Sequence, residues 1–192
     1  MPVTGCAADV ADAIIRFDLS DERDGTMTNW KPPAALIVIA IVIGLGLQRW
    51  YWTQFPERIA THFDAQGKAN DWMDKRSATL LFAGLVTFLP LFFVGIGLMI
   101  RWLPASTINL PNREYWLSAE RRDETLRWTN GWMMWFAVSI TIFLVTINHL
   151  TFIANRDARP LSAIWFSGTL AAFLVSTAVL VIFLWRRFAK PI

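Results

Sequence analysis

The stretch that decides the fold is "WTNGWMMWFAVSITIFLVTINHLTFIAN", residues 128–155, which contains no Asp, Glu, Lys or Arg. Crossing a hydrocarbon core takes roughly 20 apolar residues of helix. Three further uncharged windows lie at residues 32–48, 77–100 and 160–185. Because the chain is 55% hydrophobic and only 17% charged, an ordinary soluble globule is excluded. We therefore predict an all-α integral membrane protein. Its four transmembrane helices are expected at about residues 32–50, 77–101, 128–150 and 161–185.

Lys and Arg are unequally divided between the two sides that these helices define. The N-terminal segment 1–30, the central loop 102–127 and the tail 188–192 share one side. Together with the adjoining helix-end residues Lys31, Arg101, Arg186 and Arg187, this side holds eleven of the 18 basic residues. Loops rich in Lys and Arg stay in the cytoplasm. We therefore predict a multi-pass protein of the bacterial plasma (inner) membrane, with both termini cytoplasmic. The four-helix domain is residues 31–187, and the loop 51–76 is extracytoplasmic.

The N-terminal segment raises a separate question, because it is acidic and a second methionine, Met27, precedes the first helix. Translation from Met27 would make the preceding residues an artefact and would remove Arg16 and Arg23, with the same orientation and a smaller excess. The single cysteine, Cys6, excludes an intrachain disulfide framework and a site built from several cysteines. Too few residues precede Cys6 for a lipoprotein signal.

The first extracytoplasmic loop begins with an extended segment, "RIATHFD". Side chains alternate across a strand, so Ile59, Thr61 and Phe63 are expected on one face. His62 and Asp64 are expected together on the other face. This segment supplies the polar side of the loop.

A turn follows in "AQGK", where Gly67 can supply a positive φ. Asp71 and Trp72 then return towards the first segment. We predict a hairpin-like polar cap over the extracytoplasmic end of the helices.

The second histidine, His149, follows Asn148 near the end of the third helix. That helix runs outward in the predicted topology, so His149 reaches the same membrane face as His62. Polar groups at membrane depth are functional candidates. The predicted ligand-binding residues are Thr61, His62, Asp64, Gly67, Asp71, Trp72, Asn148 and His149.

Three interpretations of this polar set remain open. The side chains could only satisfy the backbone of the loop and the end of the third helix. They could line a ligand pocket with histidines that titrate near neutral pH. They could also bind Zn²⁺ through His62, His149 and Asp64, with Asp157 as a further carboxylate, since these are ligands that zinc accepts.

The central loop is a candidate surface for a cytoplasmic partner. Ser118 is expected to cap a helix with Glu120 in its first turn. The charged and aromatic residues could instead be interfacial anchors. The predicted partner-binding residues are Asn112, Arg113, Tyr115, Trp116, Arg121 and Arg122.

Small residues recur at four-residue spacing in the fourth helix, in the pairs Ser167 and Ala171, and Gly168 and Ala172. Such spacing allows close approach of helix backbones. We expect this stripe to pack against the other three helices, with a homodimer face as the alternative.

The loop sequence "FPERIATHFDAQGKANDWMDKRS", residues 55–77, resembles a bacterial membrane family, the domain of unknown function 1648. Its members share a Pro, a Thr-His pair, a turn Gly and an acidic residue before Trp. The corresponding residues here are Pro56, Thr61, His62, Gly67, Asp71 and Trp72. Asp64 also fits the family, whereas Asn70 stands where it has Pro. The central block "INLPNREYWLSAERRDETL", residues 108–126, is similar to a second family block.

This resemblance implies a relationship to SdpI-type immunity proteins. Those proteins protect a cell against a secreted peptide toxin and can hold a repressor at the membrane. Those proteins have more helices than the four predicted here. Immunity and signalling are therefore what the resemblance implies, and no residue pattern in the sequence predicts them separately.

Other function classes lack supporting motifs. An enzyme needs a nucleophile or activated water beside a tuned acid or base, and only the histidine site could provide this. The basic residues are spread over both membrane faces, which argues against a nucleic-acid partner. We expect a membrane binding or sensing protein, with a metal-dependent enzyme or a structural subunit as alternatives. Its expected partners are the lipid bilayer, a secreted peptide or small ligand, and a cytoplasmic regulator.

Overall fold

The computed structural model describes residues 27–189, so the predictions for Cys6, Arg16 and Arg23 lie outside the described residues. Its regular elements follow one another along the chain as helices interrupted by one hairpin. They are α1 (Lys31–Trp52), β1 (Arg58–Phe63), β2 (Ala69–Asp74), α2 (Lys75–Met99), 3-10 turns at Ile100–Trp102 and Ala105–Thr107, α3 (Arg113–Trp116), α4 (Arg122–Arg156) and α5 (Ala163–Phe188).

Four of these helices, α1, α2 with its 3-10 extension, α4 and α5, are long and apolar enough to cross a membrane. This confirms the four predicted helices and indicates a multi-pass membrane protein. The α1 helix starts with Pro in its first turn, where a missing N–H costs no hydrogen bond.

The α4 helix is longer than the predicted residues 128–150, because it continues through charged residues at both ends. The predicted bounds followed the stretch without charged residues, but a helix can continue through charged residues outside the apolar stretch. The predicted cap at Ser118 is wrong. Arg121 occupies the N-cap position without a side-chain hydrogen bond, and the Ser118 carbonyl accepts the N–H groups of Arg121 and Arg122.

The central helix of the bundle is α4, which packs against α1, α2 and α5. Close packing is clearest at Gly44 of α1, where an added Cβ would lie 2.7 Å from a Val86 methyl group and 3.0 Å from one of Val145. Gly44 therefore lets three helices meet at one level. Ile37 packs against Ala137 and Val138 further along the same interface.

The peripheral helix is α5, whose main contact is with α4. Ser139 and Ser176 share a hydrogen bond of 2.6 Å there, and the Trp132 indole donates to the Leu180 carbonyl at 2.7 Å. All four members of the small-residue stripe are exposed, so its predicted packing against the other helices is wrong. Its exposed members are Ser167, Gly168, Ala171 and Ala172.

The bundle has two distinct ends. We call one the hairpin end, because it carries β1 and β2, and the other the loop end, because it carries residues 103–121. Met27 and Phe188 pack together with Trp116 and Trp128 at the loop end. The described chain therefore begins and ends on the same side of the bundle.

The two strands form an antiparallel hairpin, as predicted, and Gly67 at its turn has φ of 76°. The pairing places Ala60 opposite Trp72 and His62 opposite Asp71, which leaves Thr61 as a bulge. The predicted strict alternation is therefore interrupted.

The Gly67 turn is also held close to the α4–α5 connection, since the Leu161 N–H donates to the Gly67 carbonyl at 2.7 Å. A Cβ on Gly67 would lie only 2.2 Å from the Leu161 carbonyl oxygen. Both the positive φ and this approach require glycine.

Gly67→Ala is therefore expected to lower the stability of the folded protein. The left-handed backbone alone costs about 1–2 kcal/mol for a residue with a Cβ, and the Leu161 contact adds to it. Thermal unfolding in detergent measures the effect. Gly46→Ala is the matched control, because nothing lies within 4 Å of its Cβ position in α1. Equal melting temperatures for the two variants would contradict this role of Gly67.

Candidate functional site

The hairpin is joined to α4 by the side chain of Asn155. The Ala60 N–H donates to Asn155 Oδ1 at 2.7 Å, and Asn155 Nδ2 donates to the Ala60 carbonyl at 2.9 Å. One carboxamide thus satisfies both backbone groups of Ala60, as a neighbouring strand would. Asn155 Nδ2 also donates to the Thr151 carbonyl at 2.9 Å, which fixes the orientation of its own side chain.

The turn of the hairpin is held by Asp64. Its carboxylate accepts the N–H groups of Gln66 at 3.0 Å and Lys68 at 2.8 Å. Asp64 and Gly67, both predicted to bind ligand, therefore also define the turn itself.

The base of the hairpin is apolar and buried. Ile59 is fully buried against Tyr51, Phe55, Ala78 and Phe152. Burying such a side chain stabilises a fold by roughly 1.5–3 kcal/mol. The hairpin is consequently packed onto the helices as well as hydrogen-bonded to them.

The second strand leads directly into α2 through a capped helix start. The Asp74 carboxylate accepts the Ser77 N–H at 2.9 Å in the N-cap position. Hydrogen bonds from the Ser77 side chain and backbone lower the pKa of Asp74 from its usual value. The cap therefore favours the ionised carboxylate.

The upper part of the hairpin presents polar and aromatic side chains to solvent. The His62 and Asp71 side chains are 69% and 68% exposed, and His62 Nδ1 lies 3.6 Å from Asp71 Oδ2. Thr61 Oγ1 lies 3.2 Å from the same histidine nitrogen, and Trp72 is 44% exposed. We call Thr61, His62, Asp71 and Trp72 the hairpin surface.

The other predicted ligand-binding residues, Asn148 and His149, lie lower, inside the bundle. His149 Nδ1 is 2.6 Å from the Tyr51 hydroxyl, and the Tyr51 ring stacks on Phe152 with centroids 3.8 Å apart. Asn148 is only 2% exposed. The predicted single set is thus divided between an exposed surface and the α1–α4 interface, where Asn148 is buried and His149 is partly buried.

This division bears on the zinc hypothesis. His62, Asp64 and His149 each have different neighbours, in the hairpin surface, the turn and the α1–α4 interface. Within residues 27–189, no three His, Cys, Asp or Glu side chains converge so that they could hold a metal ion. Asp157 instead forms ion pairs with Arg156 at 2.6 Å and Arg159 at 3.5 Å. The hydrogen bond from Arg156 lowers the pKa of Asp157.

Three residues of this region were not predicted from the sequence. They are Gln48, Tyr51 and Asn155. Gln48 and Asn155 each stand at the edge of an uncharged window, where a polar amide attracts little notice. Tyr51 belongs to the "WYW" cluster, which is equally typical of an interfacial anchor.

The predicted partner-binding residues lie at the loop end. Several of them form hydrogen bonds with other segments of the same protein. Asn112 Nδ2 donates to the carbonyls of Phe188 and Ala189, and the buried Trp116 indole donates to that of Phe188 at 3.3 Å. These bonds satisfy carbonyls that the end of α5 leaves without helical partners. Arg122 donates to the Leu103 carbonyl at 2.8 Å.

Two of the remaining predicted residues, Arg113 and Tyr115, line a cavity at the loop end, and Arg121 contacts Tyr115. The Arg121 guanidinium lies 4.1 Å from the centre of the Tyr115 ring. Arg113 donates to the Ser106 carbonyl at 3.1 Å. A cavity of about 410 Å³ adjoins Asn112, Arg113 and Tyr115. The loop end therefore offers a polar recess beside a capped helix.

The comparisons with known proteins add one match to this geometry. No curated protein and no solved structure matches the chain. The matching family model is described as "Domain of unknown function (DUF1648)" and covers residues 35–87. That range contains most of α1, the whole hairpin and the first half of α2. Residues 35–87 are therefore similar to the domain of unknown function 1648, and the matched range includes the hairpin surface.

Proposed function

We propose that this protein is a membrane receptor whose hairpin surface binds a secreted peptide or another small ligand on the extracytoplasmic side of the bacterial inner membrane. The carrying observation is that an exposed His62–Asp71 pair lies beside Trp72 on a hairpin whose backbone is fixed from below. The Lys and Arg distribution supports the orientation, with both termini in the cytoplasm.

The contacts that fix the hairpin on the helices support a role in ligand binding rather than a role only in covering the helix ends. Asn155, Leu161 and the apolar cluster around Ile59 already hold its backbone. A ligand that contacts a fixed surface loses less free energy in ordering it, so affinity is higher for the same contacts. The contacts that stabilise the hairpin are made at its base and its turn. The side chains of the hairpin surface are therefore available to contact a ligand.

The chemistry of the hairpin surface suits a peptide. Trp72 offers a large apolar ring with one N–H donor, a residue type enriched at binding hot spots. Asp71 supplies acceptor oxygens, and His62 supplies a ring nitrogen that donates or accepts. Together these groups match the amides and cationic side chains of a peptide better than an acyl chain.

Signalling across the membrane is the second part of the proposal. The recess at the loop end, beside Asn112, Arg113 and Tyr115, is the surface for a cytoplasmic regulator. In this proposal the receptor has an immunity role of the SdpI type, in which it protects the cell against a secreted peptide toxin. The three side chains of the zinc hypothesis, His62, Asp64 and His149, do not converge on one point. We therefore do not propose a metal-dependent enzyme.

The first test is peptide binding by the detergent-purified protein. Peptides are selected from a synthetic library on the wild type, and their affinities are then measured for variants. Trp72→Ala is expected to weaken binding at least about tenfold, which is the range of a hot spot that contributes more than about 1 kcal/mol. His62→Ala is expected to weaken it as well.

Trp165→Ala is the matched control, since Trp165 is also an exposed tryptophan at the hairpin end, on the first turn of α5. It should leave the affinity of the selected peptides unchanged. If Trp165→Ala weakens binding as much as Trp72→Ala, the peptides adhere to apolar surface in general. If the wild type selects no peptide, peptide recognition by the hairpin surface is overturned.

A second prediction concerns the support of the hairpin surface. Asn155→Ala removes both hydrogen bonds to Ala60, each worth roughly 0.5–1.5 kcal/mol. Hydrogen exchange of the β1 peptide is therefore expected to rise by about tenfold or more, and peptide affinity to fall with it. Asn70→Ala, at an exposed position on β2, is the control and should leave β1 exchange unchanged. Unchanged β1 exchange in Asn155→Ala would show that the apolar base alone holds the hairpin.

A further inference from the structure

Two amide side chains lie within the interface of α1 and α4, between two levels that are fixed by close contacts. Gly44 and Val145 meet at the lower level, and Tyr51 meets His149 and Phe152 at the upper level. Gln48 lies between Gly44 and Tyr51 along α1. Asn148 lies between Val145 and Phe152 along α4. Residues four apart share a helix face, so both amides project into the same interface.

Both amides are buried, and three of their four side-chain polar atoms lack a partner among residues 27–189. Gln48 is 3% exposed and Asn148 2% exposed. Gln48 Nε2, Gln48 Oε1 and Asn148 Oδ1 have no hydrogen-bond partner among the described residues 27–189. A buried polar group without a partner costs roughly 1–3 kcal/mol, and lipid offers no substitute partner. Such residues in a membrane helix mark a site.

The Tyr51–His149 hydrogen bond lies directly above these amides. We call Gln48, Tyr51, Asn148 and His149 the polar layer. Gln48 is four residues from the end of α1, about 6 Å at 1.5 Å per residue, so the layer is close to the hairpin end of the bundle. The layer therefore lies within about two helical turns of the hairpin end.

We propose that the polar layer is an intramembrane binding site for water. Gln48 needs one donor and one acceptor, and Asn148 needs a donor, which are the complements that a water molecule supplies. Buried waters typically make about three hydrogen bonds to polar groups of this kind. The layer itself consists of two amides, a phenol and an imidazole, so it favours a neutral hydrogen-bonding ligand over a metal cation. This inference is independent of peptide binding by the hairpin surface.

Hydroxyl-radical labelling in H₂¹⁸O tests the site directly, because radicals produced from bound water react with the rings beside it. Tyr51 and Phe152 are fully buried next to the layer. Phe188 is equally buried at the loop end, where it lines a mainly apolar cavity, so it serves as the internal control for a ring that has no such polar layer beside it. In the wild type, we expect ¹⁸O incorporation at Tyr51 and Phe152 to exceed that at Phe188 several-fold.

The double variant Gln48→Leu, Asn148→Leu should bring labelling of Tyr51 and Phe152 down to the level of Phe188. Unchanged labelling in the variant would overturn the proposal, because the radicals would then reach the rings by another path. Equal labelling of all three rings in the wild type would also overturn it and would point to a direct bond between the two amides. If the double variant does not fold, the comparison of rings within the wild type still decides.

Discussion

The placement of the hairpin depends on the pairing of Asn155 with Ala60. A two-stranded hairpin is only marginally stable in water by itself, so its position must come from contacts with the helices. Asn155 provides such a contact by binding the N–H and the carbonyl of one strand residue at the same time. The Gly67–Leu161 bond then fixes the other end of the hairpin. With the backbone held at two points, the exposed side chains project from a fixed hairpin.

The same helix that carries Asn155 also organises the interior. Because α4 contacts each of the other three long helices, its polar residues have to be satisfied within narrow interfaces. His149 contacts the Tyr51 hydroxyl, while Asn148 Oδ1 and both amide atoms of Gln48 have no hydrogen-bond partner among the described residues. The α4 helix therefore positions an exposed polar surface through its end and a buried polar layer through its last turns.

The sequence was sufficient for features that depend on local pattern. Uncharged windows located all four long helices, and "AQGK" located a turn that needs glycine at Gly67. It was insufficient where a residue acts through tertiary contacts. Gly168 was expected to pack against another helix, but it lies on an exposed face of α5. His62 and His149 reach the same end of the bundle, but they have different neighbours there. Sequence order predicts which end a residue reaches, but whether its side chain points outward or inward depends on packing.

Tyr51 connects the two polar regions physically. Its hydroxyl contacts His149 in the polar layer, and its ring packs in the cluster that contains Ile59 of the hairpin. Ile59 and Ala60 are adjacent, so a movement of β1 away from Asn155 would also disturb the cluster around Tyr51. Packed interiors shift between discrete arrangements rather than deforming smoothly. Any force on the hairpin surface that displaces β1 is therefore transmitted to the α1–α4 interface through one buried aromatic side chain.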